Sequence, residues 1–121
     1  MFHGGMMSGC PDPISWDDFE KIDLRIGIIR SVEFNEKARK PAYLLKIDLG
    51  EMGEKISSAQ ITDKYTQDDL IGMQVLCVCN LRPKLVAGVK SEVLVTGVYD
   101  DQQHVVLATF NHSLKPGSRL R

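Results

Sequence analysis

Five or six short β-rich runs with one helical segment among them restrict the folds open to this chain. Their close spacing excludes alternating β-α-β units and suits a small barrel. Three strands, a helix and two further strands is the order of the OB-fold, a five-stranded Greek-key barrel. We therefore predict an all-β OB-fold with a short helix between strands 3 and 4 and with N- and C-terminal extensions.

Two of the runs show the alternation of apolar residues that defines strand faces. In DLRIGIIRSVEF, the predicted apolar face carries Leu24, Ile26 and Ile28. In PAYLLKIDLG, it carries Tyr43, Leu45, Ile47 and Leu49. The other predicted strands are KISSAQI, MQVLCVCN, EVLVTGVYD and HVVLATF.

Two segments carry helix signals. The segment ISWDDFEKI has Ser15 as a candidate N-cap and is too short to be stable alone, so its aromatic residues must dock on the barrel or on a second subunit. The segment TDKYTQDDLIG is a helical connection that ends at Gly72.

The length of 121 residues indicates one domain, which we place at residues 14–121 behind a flexible arm at 1–13. The longest apolar run is far shorter than the ~20 residues of a membrane span. The N-terminus has neither the basic nor the apolar region of a secretory signal. We therefore expect a cytoplasmic protein.

The potential ligands for metal or catalysis are few and scattered. Cys10, Cys77 and Cys79 form an odd set, which argues against a disulfide framework, and the histidines show no metal-ligand spacing. Core packing is the favoured role for Cys77 and Cys79, which lie two residues apart in a predicted strand. The sequence has no P-loop, G-x-S-x-G or H-E-x-x-H motif. We predict a binding protein with no catalytic residue, cofactor or metal.

Charge is distributed unevenly, although the formal net charge is only −1. Nine of the fifteen Lys and Arg residues lie in three acid-free stretches, at 37–40, 82–90 and 115–121. If these stretches meet, the protein has a positive face; if they do not, they are solvated loops. The second stretch lies in NLRPKLVAGVKSE, which is longer than an ordinary hairpin loop and lacks an Asn-Gly or Asp-Gly tip.

Several segments together carry a family resemblance: FEKIDLRIGIIRSVE, EKARKPAYLLKIDLGE, KISSAQIT and LIGMQVLCVCNLRPKLVAGVKSEVLVTGV. They resemble the tRNA-binding OB-fold family, found at the end of methionyl-tRNA synthetases and in free-standing dimeric tRNA-binding proteins. The match is closest to its export-related chaperone branch. tRNA-binding members typically carry a segment like H-P-x-A-D-K-L-Y before the second strand, whereas this chain has NEKARKPAY.

The resemblance implies an ATP-independent, export-related chaperone for unfolded or precursor polypeptides, with structure-specific tRNA binding as the alternative. It also implies a homodimer, with Trp16 and Phe19 at the interface, and a partner in the export machinery. The implied peptide- or tRNA-binding cleft comprises Arg39, Lys40, Tyr43, Ser57, Ser58, Gln60, Asn80, Arg82, Lys84 and Ser91. The alternative to ligand binding is a core position for Tyr43. For Arg39 and Lys40, the alternative is that they are solvated cations of a loop. Glu92 is expected to pair with a nearby cation and fix its loop.

Overall fold

The structure is a computed structural model that describes residues 10–121, so most of the predicted N-terminal arm lies outside the described residues. Its two helices are α1 (Trp16–Glu20) and α2 (Gln67–Leu70), and a 3₁₀ turn spans Gly50–Met52. The strands are β1 (Leu24–Phe34), β2 (Tyr43–Asp48), β3 (Glu54–Ala59), β4 (Gln74–Val78), β5 (Lys84–Val86), β6 (Val89–Ser91), β7 (Leu94–Val95), β8 (Gly97–Tyr99) and β9 (Val105–Leu107).

Five of the strands form one antiparallel sheet in the order β3-β2-β1-β4-β7. The sheet curls into a nearly closed barrel, which confirms the OB-fold prediction. The predicted apolar face of β2 is also confirmed, because Tyr43, Leu45, Ile47 and Leu49 are all buried in the core. Residues Val75 and Cys77 of β4 complete the floor of that core.

Leu24, Ile26 and Ile28 share one face of β1 as predicted, but this face is not the one that lines the barrel core. Ile29 and Val32 point into the barrel, whereas Ile26 is buried on the outer face beneath the C-terminal segment. The core position before Ile29 is Gly27, where an added Cβ would lie 2.3 Å from the Ile47 side chain. A glycine at a core position, followed by a bulge between Ile29 and Ser31, hides the true alternation in the sequence.

Both predicted helices are present, although each is short. Ser15 caps α1 by accepting a hydrogen bond from the backbone N–H of Asp18 at 3.0 Å. In α2, Thr66 and Asp69 form a reciprocal capping box around a single turn. Gly72 follows with a positive φ of 87° and ends the helical segment as predicted.

The basic loop after β4 contains a hairpin that the sequence pattern did not reveal. Strands β5 and β6 pair antiparallel, and only Ala87 and Gly88 separate them. Both residues have positive φ, 46° and 83°, which is the requirement of a two-residue type I′ turn. Alanine is unusual at such a position, and for that reason Ala-Gly was not a turn signal.

Side chains help to close the barrel next to this hairpin. The backbone N–H of Glu92 donates to the carbonyl of Ile56 in β3 at 2.7 Å, and Glu92 Oε1 accepts from the N–H of Ile56 at 3.1 Å. Ser91 Oγ accepts from the N–H of Ser58 at 3.0 Å. The root of the hairpin is therefore attached to β3 partly by side-chain acceptors in place of a backbone ladder.

Candidate functional site: a groove between the L12 loop and the β5–β6 hairpin

A groove of about 500 Å³ lies where the connection between β1 and β2 meets the tip of the β5–β6 hairpin. We call this connection, residues 35–42, the L12 loop. The lining residues come from the end of β1, the L12 loop, β2, α2 and the hairpin tip: Glu33, Phe34, Asn35, Glu36, Lys37, Leu44, Gln67, Ala87, Gly88 and Val89. In OB-folds, this loop and the loop between the last two barrel strands flank the ligand-binding face.

Backbone hydrogen bonds hold the L12 loop at its start. The N–H of Asn35 donates to the carbonyl of Ala42 at 2.9 Å and so closes the loop, while the N–H of Ala38 donates to the carbonyl of Asn35 at 3.2 Å. Asn35 Oδ1 accepts from the N–H of Lys37 at 3.3 Å. Arg39 and Lys40 are exposed and make no ion pair within residues 10–121. Their cationic groups are therefore available to a ligand.

The L12 loop and the hairpin bring two of the three basic stretches together. The side chain of Lys37 lies against Gly88, since a Cβ built there would be 3.9 Å from Lys37 Cδ. Arg82 and Lys84 are exposed along the hairpin. The exposed basic residues of these two segments are Lys37, Arg39, Lys40, Arg82, Lys84 and Lys90, of which Lys37 lines the groove.

The third basic stretch lies at the opposite end of β1. Arg25 forms a bridge with Arg119, and the guanidinium of Arg119 lies 3.4 Å from Asp23 and 3.9 Å from Glu20. Arg25 lies near the start of the eleven-residue β1, whereas the L12 loop follows the other end of that strand. Residues 115–121 therefore hold the C-terminal segment to α1 and β1 and lie away from the groove.

Four of the predicted cleft residues have side chains that are buried or already hydrogen-bonded within the protein. Tyr43 is 3% exposed, and its hydroxyl donates to the carbonyl of Tyr65 at 2.8 Å. Ser57 is 2% exposed and faces inward, opposite to Ser58 as predicted. The Oγ of Ser91 is engaged with β3 as described above. Burial or an existing hydrogen bond thus engages each of these side chains within the barrel.

Asn80 is the fourth of these residues and connects β4 to the segment between α1 and β1. Its Oδ1 accepts from the N–H of Asp23 at 2.9 Å, and its Nδ2 donates to the carbonyl of Lys21 at 2.6 Å. The prediction for Glu92 is confirmed: its Oε2 lies 3.9 Å from Lys55 Nζ, and its other oxygen is bonded to β3. Ser58 is half-buried in β3, and Gln60, just after the end of that strand, is exposed.

Sequence reasoning missed the residues that form the floor and wall of the groove. Phe34 is 55% exposed, and its ring centroid lies 5.1 Å from that of Tyr43 in a tilted arrangement. Gln67 fixes the α2 side of the groove by donating from Nε2 to the carbonyl of Val32 at 3.1 Å. The one available signal was the large aromatic residue at the end of β1, immediately before a charged loop.

The thiols of β4 are not reactive groups. Burial, followed by the neighbouring Cys79, raises the pKa of Cys77 to about 12, and burial together with Asp23 raises the pKa of Cys79 to about 11. Both remain protonated at neutral pH, which suits the packing role predicted for them. Among residues 10–121, no cluster of His, Cys, Asp and Glu is arranged to hold a metal ion.

Comparison with known proteins identifies the class to which this fold and groove belong. Residues 24–119 match the family described as "Putative tRNA binding domain", and the chain belongs to that family. The chain is also 38% identical over 102 residues to a methionine–tRNA ligase of Methanocaldococcus jannaschii, covering 84% of this chain. It spans only 15% of the length of that relative.

Two solved structures place the chain more narrowly. It is 46% identical to chaperone CsaA of Bacillus anthracis, with a TM-score of 0.85 over 91% of this chain and 100% of that one. It is 44% identical to the CsaA chaperone protein of Picrophilus torridus, with a TM-score of 0.83 over 90% and 100%. The chain is thus a CsaA-like member of the tRNA-binding OB-fold family. No helix within residues 10–121 is long and apolar enough to span a membrane.

Proposed function

We propose that this protein is an ATP-independent, cytoplasmic chaperone that binds unfolded or precursor polypeptides, including those destined for export, in the groove beside the L12 loop. The observation that carries the proposal is the similarity to two CsaA chaperones over the whole length of those chains. The methionine–tRNA ligases match over about a seventh of their length and so support a shared domain alone.

The groove offers a physical basis for passive binding. The exposed ring of Phe34 and the partly buried Leu44 and Val89 form an apolar surface for a side chain of an unfolded segment. The exposed cations at Arg39 and Lys40 add electrostatic attraction at the rim. Contacts of this kind are weak and exchange readily, which lets a polypeptide leave without nucleotide hydrolysis.

Structure-specific tRNA binding is the second candidate. The family assignment supports it, and the exposed basic residues of the L12 loop and of the segment 82–90 could neutralise phosphates. The affinity of such binding depends steeply on salt. On duplex nucleic acid, the slope of the log binding constant against log salt concentration is about −0.9 for each phosphate that the protein neutralises.

A competition experiment separates the two functions. Bulk tRNA and an unfolded preprotein are titrated against the purified protein at ~50 and ~200 mM salt, a range over which several phosphate contacts cost orders of magnitude in affinity. We expect the protein to bind the preprotein at both concentrations and to suppress its aggregation. Tight, salt-sensitive tRNA binding without any suppression of aggregation would falsify the chaperone proposal.

We also propose that the chain forms a homodimer through α1. Trp16 is 85% exposed, and Ile14 and Ile22 beside it are exposed as well, so α1 presents an apolar surface that the barrel does not cover. Exposed apolar patches of this kind are typical of interaction sites. A second subunit would cover Trp16 and supply the docking that a five-residue helix requires.

A further inference from the structure

One polar group beside the groove lacks a hydrogen-bond partner. Asn35 is 6% exposed, and its Nδ2 is shielded from solvent without any acceptor. A buried, unpaired amide donor is costly, and native proteins rarely keep one without a functional or structural reason. Asn35 is also a lining residue of the groove.

The orientation of the Asn35 amide follows from its other hydrogen bond. Asn35 Oδ1 accepts from the N–H of Lys37, so rotating the amide by 180° would set two donors against each other. The free group is therefore an N–H donor, and it requires an acceptor such as a carbonyl oxygen.

The surroundings of Asn35 favour a polypeptide over a nucleic acid. Phe34 and Leu44 give the groove an apolar surface next to the donor. Glu33 and Glu36 also line it, and neither forms an ion pair within the described part of the chain. With Lys37 as the one cation of the lining, these carboxylates repel phosphate oxygens and tolerate a neutral peptide.

We propose that Asn35 and Phe34 form the recognition element for polypeptide: Asn35 Nδ2 donates to a backbone carbonyl, and the Phe34 ring packs against a neighbouring apolar side chain. This inference rests on the proposed chaperone function and assigns it two residues. Because Nδ2 is shielded, the carbonyl reaches it only when the L12 loop shifts. The remaining loop cations then act at the rim, outside the recognition element.

The first test measures polypeptide affinity by fluorescence anisotropy, with fluorescein-labelled, reduced and carboxymethylated α-lactalbumin as the unfolded probe. Asn35→Asp keeps the acceptor for Lys37 and removes the free donor, and Phe34→Ala removes the ring. We expect each to weaken binding at least ten-fold. Val98→Ala, a matched change at an exposed apolar residue of β8, should stay within two-fold of the original protein. Thermal unfolding of every variant checks that it is folded.

The second test observes the Asn35 side chain directly and does not depend on the folding of a variant. In a ¹H–¹⁵N spectrum, the side-chain NH₂ resonances of Asn35 should shift when the peptide acetyl-Gly-Leu-Phe-Leu-Gly-amide is titrated. They should stay in place with bulk tRNA. A residue that merely holds the L12 loop would show no such peptide-specific shift.

The outcomes distinguish this inference from the proposed function. If the original protein binds the unfolded probe but both variants bind it equally well, the recognition element is wrong and the chaperone function stands. If tRNA shifts the Asn35 resonances and Asn35→Asp weakens tRNA binding alone, the groove serves nucleic acid and the inference is overturned. If the original protein binds no polypeptide, the proposed function fails and this inference fails with it.

Discussion

Ala87 is one of two non-glycine residues with a positive φ among residues 10–121. It occupies the first central position of the type I′ turn with φ of 46°, in the left-handed region that asparagine and glycine favour. A left-handed conformation costs an L-residue with a Cβ roughly 1–2 kcal/mol. The tip of the hairpin beside the groove therefore carries local strain.

Replacing Ala87 with asparagine should relieve part of that strain. We expect Ala87→Asn to raise the free energy of unfolding by about 0.5–1 kcal/mol, because Asn-Gly is the preferred sequence of this turn. Urea unfolding followed by circular dichroism measures the change. Ala38→Asn is the matched control, since Ala38 does not have a positive φ. An equal gain in both variants would contradict the turn assignment.

Among the elements, the end of β4 and the segment before β1 are held together by Asn80. The side chain makes two hydrogen bonds across a separation of almost sixty residues, to Asp23 and to Lys21. The contact fixes where the chain leaves the barrel on its way to the β5–β6 hairpin. We therefore propose that Asn80 positions the hairpin and does not itself contact a ligand.

Removing this contact should lower stability without changing affinity. At about 0.5–1.5 kcal/mol for each of the two hydrogen bonds, we expect Asn80→Ala to reduce the free energy of unfolding by about 1–3 kcal/mol. Asn111→Ala, at an exposed asparagine, should have almost no effect. Binding of unfolded polypeptide should match that of the original protein at temperatures where both are folded. A large loss of affinity for polypeptide in folded Asn80→Ala would show instead that Asn80 contacts the ligand.

Three aspartates that cap turns should make the fold sensitive to acid. Each of the three has a pKa below the ordinary value of 3.8, chiefly because the carboxylate accepts a hydrogen bond from a backbone N–H. The donor is the N–H of Gly50 for Asp48, which Arg30 also stabilises. The donors for Asp69 and Asp100 are the N–H groups of Thr66 and His104. A carboxyl whose pKa is lower in the folded state stabilises the fold above the unfolded value of about 4. The contribution is lost as pH falls through the folded values.

The midpoint of thermal unfolding should accordingly vary little between pH 7 and 5 and fall below about pH 4. Asp100→Asn keeps an acceptor oxygen for His104 but cannot titrate, so its midpoint should fall less steeply in the acid range. Circular dichroism melts at half-unit intervals measure both curves. Parallel curves for the two proteins would show that Asp100 contributes nothing to the acid sensitivity.

The sequence predicted the faces of the strands only where large apolar side chains alternate without interruption. The alternation in β2 was recognisable because every second residue is large and apolar, and Ser15 was recognisable as the N-cap of α1 from its residue type and position. The core-lining face of β1 was not recognised because Gly27 takes a core position without a side chain and a bulge follows it. Periodicity has no signal for either feature.

The candidate site was less predictable than the barrel. The resemblance indicated the loops that line the groove, but whether a side chain in them is free depends on contacts that only the fold creates. The Asn80 and Ser91 side chains are occupied by backbone groups far away in sequence, and Phe34 became visible only as an exposed ring on Tyr43. Exposed Arg39, Lys40, Gln60, Arg82 and Lys84 stay predictions for the binding surface.

For the whole molecule, the main prediction concerns assembly. Light scattering should give twice the chain mass of 13.5 kDa, and deletion of residues 1–20 should give a monomer. Trp16→Ala should weaken the dimer, whereas Leu85→Ala, at an exposed leucine of the hairpin, should leave it intact. A full-length protein that remains a monomer at high concentration would remove the interface role of Trp16 and Phe19.

The way in which Ser91 and Glu92 attach the hairpin to β3 has a consequence for protein engineering. Because side chains make part of this attachment, the residues between Asn80 and Ser91 can change in number without altering the register of the barrel strands. Longer or differently folded segments could be grafted between these two anchor points while the OB-fold core keeps its packing. The same barrel would then present a new recognition surface opposite the L12 loop.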